Sequence, residues 1–362
     1  MKKLLCALSL AVSLLLSAGA QAQTVPAGYP ADYAKVIEAA RKEGKLLVYS
    51  NVAVGNWAPF MELFKQRYPG IAVDTTDSGN ELWEKYYAES QTGTRTADII
   101  LATAPDRWIE IHERGQVAPY VSPESPALPK WSTPFPGVYS ASADPMIIAF
   151  NRRALQGMAE PKSLGDVAAL YKKHPELKGR ITAFDPEGNA MGRNVWAAWA
   201  KAYPASWPLV EQLGPSLRPE RSAGPMREKV ISGEYAIALM TSGAGIPQYM
   251  APAASKLAGW DFPNDGTPIV TRNVGITKAA SSPNAARVFL DLLLSRDGQI
   301  AFGKTGQMPY RADIKKDETP YGTFVTLTEK IGEKNVVFIA PDKELIANGE
   351  AFIARWKKAL GR

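Results

Sequence analysis

The chain has 362 residues, 46% of them hydrophobic and 22% charged, with a formal net charge of +6. That length exceeds one ordinary core, so two domains are expected. Lys and Arg are spread among Asp and Glu, which leaves no basic stripe for a nucleic-acid partner. Lys2 and Lys3, the apolar run Leu4 to Leu16 and the A-x-A signal Ala20-Gln21-Ala22 read as a secretory signal peptide over residues 1–22. A mature start at Gln23 follows, and the charge falls from +6 to +4 with the loss of the two lysines. The apolar run is too short for a stable membrane span, and no later one approaches the roughly 18 residues a span needs. Cys6 is the only cysteine and lies inside the signal. The mature chain therefore offers no disulfide, thiolate nucleophile or cysteine metal ligand. Because Cys6 does not follow the apolar run, a lipoprotein anchor is not expected.

Helical spacing of Tyr33, Val36, Ile37 and Ala40 predicts a first helix stopped by Gly44. Leu46 to Tyr49 is a strand-length apolar run ending at Ser50-Asn51. A stripe of Trp57, Phe60, Met61, Phe64 and Tyr68 predicts the next helix, closed by Pro69-Gly70, and Ile71 to Thr75 the next strand. Ser78-Gly79-Asn80-Glu81 has the capping-box form, so a helix is expected from there through Leu82 and Tyr86. Ala97 to Ala102 is a third strand, followed by a helix over Pro105 to Arg114. Six prolines between residues 119 and 136 predict an irregular surface segment near a domain boundary. Strands are then expected at Met146–Phe150, Ile181–Phe184, Tyr235–Met240 and Val274–Thr277. Helices are expected near 191–203 and 224–232, from Ser282-Pro283-Asn284 through Leu293, and over 343–360. Apolar strands alternating with amphipathic helices imply an α/β fold with mainly parallel sheets covered on both faces.

Several segments carry a resemblance. They are Glu43-Gly44-Lys45-Leu46-Leu47-Val48-Tyr49-Ser50, Ala97-Asp98-Ile99-Ile100-Leu101, Met146-Ile147-Ile148-Ala149-Phe150-Asn151, Pro161-Lys162-Ser163-Leu164, Val274-Gly275-Ile276 and the helix opening at Ser282-Pro283-Asn284. In this order and spacing the chain resembles the type II periplasmic solute-binding proteins of ABC importers, within the branch of ferric-ion and hexose-phosphate binders. The resemblance implies two α/β lobes, each a mainly parallel sheet flanked by helices, with a ligand cleft between them. It implies chain crossings near 138–146 and 268–275. Lobe 1 would then comprise 23–142 plus 276–310, and lobe 2 would comprise 143–275 plus 311–362. Ligands of such folds sit at the carboxyl ends of parallel strands, beside helix N-termini.

That layout makes the loops after strands the candidate site. In the first lobe these are Ser50 and Asn51, Ser78-Gly79-Asn80 at a helix start, and Thr103, whose spacing to Asp106 also suits simple capping. In the second lobe, Asp185 to Arg193 follows a strand and leads into a helix. Asn189, Gly192 and Arg193 there suggest a nest for a carboxylate or phosphate. Thr241 and Ser242 follow the Met240 strand with hydroxyl donors. Arg272 and Asn273 lie at the second crossing, facing the cleft or bracing the hinge.

The expected function is capture of a small organic anion (a carboxylate, phosphonate or phosphorylated sugar) by hinge closure. A monomeric, non-catalytic periplasmic binder would deliver it to a membrane permease, with no cofactor and no metal. The first alternative is ferric-ion binding. Against it, the residues after Met240 are Thr241-Ser242-Gly243-Ala244, where the resemblance to iron binders calls for adjacent tyrosines, and Tyr86-Tyr87 lie inside a helix. The second alternative is a secreted α/β hydrolase. His112 and His174 are the only histidines and lack zinc-site spacing, and no G-x-S-x-G, P-loop or G-x-G-x-x-G motif is present. Asp185 and Glu187 are too close in sequence to converge as a glycosidase pair without help from the fold.

Overall fold

The structure, a computed structural model, describes residues 25–79 and 81–362. The signal peptide expected over 1–22, Cys6, the expected start at Gln23 and Asn80 lie outside the described residues. Strands run at β1 Lys45–Ser50, β2 Ala72–Thr75, β3 Ile99–Ala102, β4 Val138–Asn151, β5 Ile181–Phe184, β6 Leu217–Glu220, β7 Ile237–Ser242, β8 Ala258–Asp261, β9 Thr267–Ile276 and β10 Val336–Ile339. They join in the order β2-β1-β3-β9-β4-β7-β5-β6, with β10 on β9 and β8 on β4. At the two ends the pairing is parallel, β2-β1-β3 on one side and β7-β5-β6 on the other. The middle is antiparallel: β4 pairs β9 from Val138↔Gly275 to Pro145↔Ile269. This follows from the path of the chain. β4 carries it from the core around Tyr139 to the core around Met146 and β9 returns it from Val270 to Val274, so the two long strands lie side by side in opposite directions. Every residue of β3, β4, β5 and β9 is buried, the pattern of strands covered on both faces.

The chain differs from the sequence expectation at several places. β6 reads Leu217-Arg218-Pro219-Glu220, and its proline is tolerated because the strand lies at the sheet edge. β8 and β10 are likewise short strands beside the main order. The helix expected to open at Ser78 begins at Glu81. Ser78 instead donates its N–H to Ser50 O, and the Glu81 carboxylate accepts the Gly79 N–H at 2.9 Å. The last helix is two, Lys343–Ala347 and Gly349–Ala359, interrupted at Asn348, a poor helix former followed by another.

One core gathers the helices Tyr33–Glu43, Ala58–Arg67 and Pro283–Leu294 on β1, β3, Tyr139 and Val274, with Trp57, Phe60, Phe64, Phe289 and Phe302 in mutual contact. A second packs Met146, Ile148 and Val270 with the helices Ala190–Ala202 and Trp207–Leu213, around Trp196, Trp199 and Trp356. Among the described residues no helix is long and apolar enough to cross a membrane.

The proline-rich segment is irregular, as expected, and it ties both parts of the molecule together. Trp131 packs on Tyr310, Phe324 and Phe338, while Glu124 pairs with Arg311 at 2.6 Å. Its start is anchored on a buried carboxylate. Tyr120 donates to Asp291 Oδ2 at 2.7 Å, Ser122 donates to Oδ1 at 2.6 Å, and Tyr33 also donates to Oδ2. Burial pushes the Asp291 carboxyl up from 3.8 to about 6, and the three hydroxyl donors oppose that rise. Between these values the folded state holds a proton that the unfolded state has released, so this group lowers stability as pH rises. The effect is on the order of 3 kcal/mol. Denaturant unfolding of the wild type and Asp291→Asn should show the wild type losing about that much, relative to the variant, between about pH 4 and pH 7. A constant difference over that range would contradict the burial argument.

Candidate functional site

The carboxyl ends of β1, β3, β5, β6 and β7 converge on a cavity of about 460 Å³ whose floor is formed by β4 and β9. Brought together on its lining are Asn51, Gly79, Thr103, Asn189, Ser242 and Arg272, six of the residues expected from the sequence. At the floor, Arg272 donates from Nε and Nη2 to Asp144 Oδ2 at 3.3 and 3.2 Å. Its Nη1 donates to Asn51 Oδ1 at 2.8 Å, and Asn51 Nδ2 donates to Thr103 Oγ1 at 3.0 Å. Asp144 Oδ1 accepts the Met308 N–H at 3.0 Å. Both charges are nearly enclosed, with Arg272 9% and Asp144 3% exposed. Such a pair is costly unless other groups share its hydrogen bonding; Asn51 takes one further N–H of Arg272, and the Met308 N–H is accepted by Asp144. Three of the five guanidinium N–H groups are engaged among the described residues, leaving two for a bound molecule.

Four helices start at the cavity. Gly79 precedes Glu81–Thr92, Ala104 precedes Pro105–Glu113, Asn189 caps Ala190–Ala202, and Ser222 precedes Ala223–Ser232. Their N-terminal N–H groups and partial positive charge favour an anion. Asn189 Oδ1 accepts the Gly192 N–H at 3.0 Å, and its Nδ2 donates to Arg221 O at 3.0 Å. Ser222 makes no side-chain cap bond, so its hydroxyl is available. Ser242 reaches the cavity through an irregularity: the β4–β7 register shifts between Ile147 and Ala149, and Met240 takes φ 52°, uncommon for a residue with a side chain.

Six expected residues are placed elsewhere. Ser50 is fully buried; its Oγ donates to Thr76 O and accepts from Val52 N–H and Trp57 Nε1, so it holds the β1 turn. Ser78 does not line the cavity and serves the backbone tie to Ser50. Thr241 is buried within β7. Asn273 is buried on β9, where its Oδ1 accepts from Ser140 Oγ, so it braces the crossing strands. Gly192 has its N–H taken by Asn189, and a Cβ there would meet Asp185 O at 2.4 Å; glycine is required for backbone packing, not for access by a ligand. Arg193 turns away from the cavity into a separate groove against the helix Gly349–Ala359.

The sequence reading missed Asp144, Arg221, Ser222 and Asn194, all on the lining. Arg221 is the cation where Arg193 was expected. Its side chain is 79% exposed, and its contact with Asp185 is long, 3.8 Å. Asp144 carried one signal: an acidic residue before Pro145 inside an otherwise apolar run.

Strand ends and helix starts meet around one cavity over a pair of crossing strands, the two-lobed α/β arrangement of periplasmic binding folds. The chain belongs to the bacterial extracellular solute-binding protein family, whose model matches residues 52–307. No curated protein matches it. Among solved structures it is similar to the substrate-binding protein of an ABC transporter from Agrobacterium tumefaciens, with 19% identity, TM-score 0.76, and 87% of this chain and 94% of that chain covered. It is also similar to the apo ferric ion-binding protein A of Pasteurella haemolytica, with 16% identity, TM-score 0.68 and coverage of 87% and 98%. A third similar structure is the periplasmic binding protein AfuA of Actinobacillus pleuropneumoniae with fructose-6-phosphate bound, with 19% identity, TM-score 0.65 and coverage of 88% and 99%.

Proposed function

We propose that this chain is the exported, solute-binding component of an ABC importer, and that it captures a small organic anion and presents it to a membrane permease. The observation that carries the reading is the pairing of Arg272, with two unspent N–H groups at the floor, and the exposed Arg221 at a cavity ringed by helix starts. In this reading lobe 1 comprises 23–142 plus 276–310 and lobe 2 comprises 143–275 plus 311–362. The packing of Tyr139 and Val274 in one core, and of Met146 and Val270 in the other, supports crossings on β4 and β9. Because both lobes contribute groups to one solute, closure gains contacts that the open form lacks, which biases the equilibrium toward the closed form. The solute is bound and released without chemical change.

A ferric ion suits the cavity less well. Among the described residues no tyrosine or histidine lines it, and of its carboxylates, Asp106 and Asp144, the second is already paired with Arg272.

The test is a thermal-shift screen of the mature protein against carboxylates, phosphonates, sugar phosphates, neutral sugars and ferric salts. An anion should raise the melting temperature in proportion to ln(1 + [L]/Kd). Arg221→Ala should weaken that anion about tenfold to a hundredfold, the effect of losing a charge-assisted hydrogen bond. Arg193→Ala should leave affinity unchanged. Stabilisation by neutral sugars or ferric ion alone would sink the reading.

A further inference from the structure

We infer that the solute is amphipathic: an anionic head joined to an apolar body, as in an aliphatic or aromatic carboxylate. The inference rests on the reading of this cavity as an organic-anion site. Its basis is a set of four apolar side chains that only the second-lobe wall supplies. The first-lobe wall is polar, with Asn51, Thr103 and Asp106. Facing it, the second lobe presents, beside the polar Asn189, Asn194, Ser222 and Ser242, an apolar set: Met146 from β4, Phe184 at the end of β5, Met191 in the first turn of the helix Ala190–Ala202, and Val270 from β9.

These four side chains carry no hydrogen-bonding group able to satisfy a hydroxyl. A hydroxyl directed at them would be buried without a partner, at a substantial penalty. Met146, Phe184 and Val270 are fixed from behind by the second-lobe cores, so the wall is rigid over most of its area. Met191 is partly exposed and packs against both of those cores, which leaves a flexible thioether free to adjust to the shape of an apolar body. Among the polar groups around the wall, Arg272 at the floor, Arg221 and the Ser222 hydroxyl beside a helix start can together hold one anionic head group. A cavity of about 460 Å³ is of ordinary size for a small-molecule site.

The test is calorimetry on the mature protein with acetate, butanoate, hexanoate, octanoate, 1-hexanol and fructose 6-phosphate. Affinity should climb about fourfold per added methylene, the equivalent of about 0.8 kcal/mol each, until the wall is covered. Met191→Asn should flatten that slope, lowering hexanoate affinity about tenfold, while Met191→Leu should preserve it; melting temperatures of the free variants control for folding. A slope of zero, or fructose 6-phosphate binding more tightly than hexanoate, would overturn the apolar body while leaving the anion site standing. Conversely, 1-hexanol binding as tightly as hexanoate would overturn the anionic head and retain the apolar wall. Binding by none of the six overturns both.

Discussion

Asp144→Ala is expected to lower stability by roughly 3–5 kcal/mol, among the largest losses available to a single substitution in this chain. Arg272 is 9% exposed and depends on Asp144 for two of its three hydrogen bonds. Truncation would strand a guanidinium on β9 and remove the acceptor of the Met308 N–H, which ties the segment after Gly303 to the crossing strands. The exposed pair Arg67–Asp297, 48% and 49% exposed, is the contrast. Arg67→Ala should cost less than about 1 kcal/mol, because water already screens both charges. Denaturant unfolding of both variants measures the difference. Equal, small losses would show that the Asp144–Arg272 pair is not the keystone of the crossing.

Gly192→Val is expected to destabilise by about 2–3 kcal/mol, the upper part of the range for forcing atoms into packed structure. The new Cβ would fall 2.4 Å from Asp185 O, 2.8 Å from Asp185 C and 2.9 Å from Phe184 Cδ1, and two of those neighbours are backbone. Relief requires the helix Ala190–Ala202 to retreat from β5, which moves the Asn189 cap and the Phe184 wall of the cavity together. Solute binding should therefore weaken in step with the melting temperature. Gly55→Ala, with nothing within 4 Å of the added Cβ, should leave both unchanged. A Gly192→Val protein of normal melting temperature that fails to bind would show that the glycine serves the ligand directly, contrary to its geometry here.

The alternation of apolar runs and amphipathic stripes was enough to read β1, β3, β5 and β7, because strands buried on both faces leave unbroken runs that helices do not. Site residues that follow such strands were legible for the same reason: Asn51 after β1, Thr103 after β3 and Ser242 at the end of β7 all line the cavity. Arg221 escaped because β6, broken by Pro219 at a sheet edge, has no apolar signature, and the loop after an unseen strand is not seen either. Arg193 was misplaced for a different reason. A helix start limits where its fourth residue points only once the packing partner is known, and that partner, Gly349–Ala359, lies more than 150 residues away. Asp144 could not be recognised because its partner Arg272 lies 128 residues away in sequence, and only the antiparallel pairing of β4 and β9 brings them together.

The most direct measurement is native mass spectrometry of the protein purified from the cells that produce it, followed by release and identification of whatever is bound. A single small organic anion at one per chain, lost in Arg221→Ala and retained in Arg193→Ala, is the predicted result. A stoichiometric ferric ion, or a neutral solute unaffected by either substitution, would contradict the account.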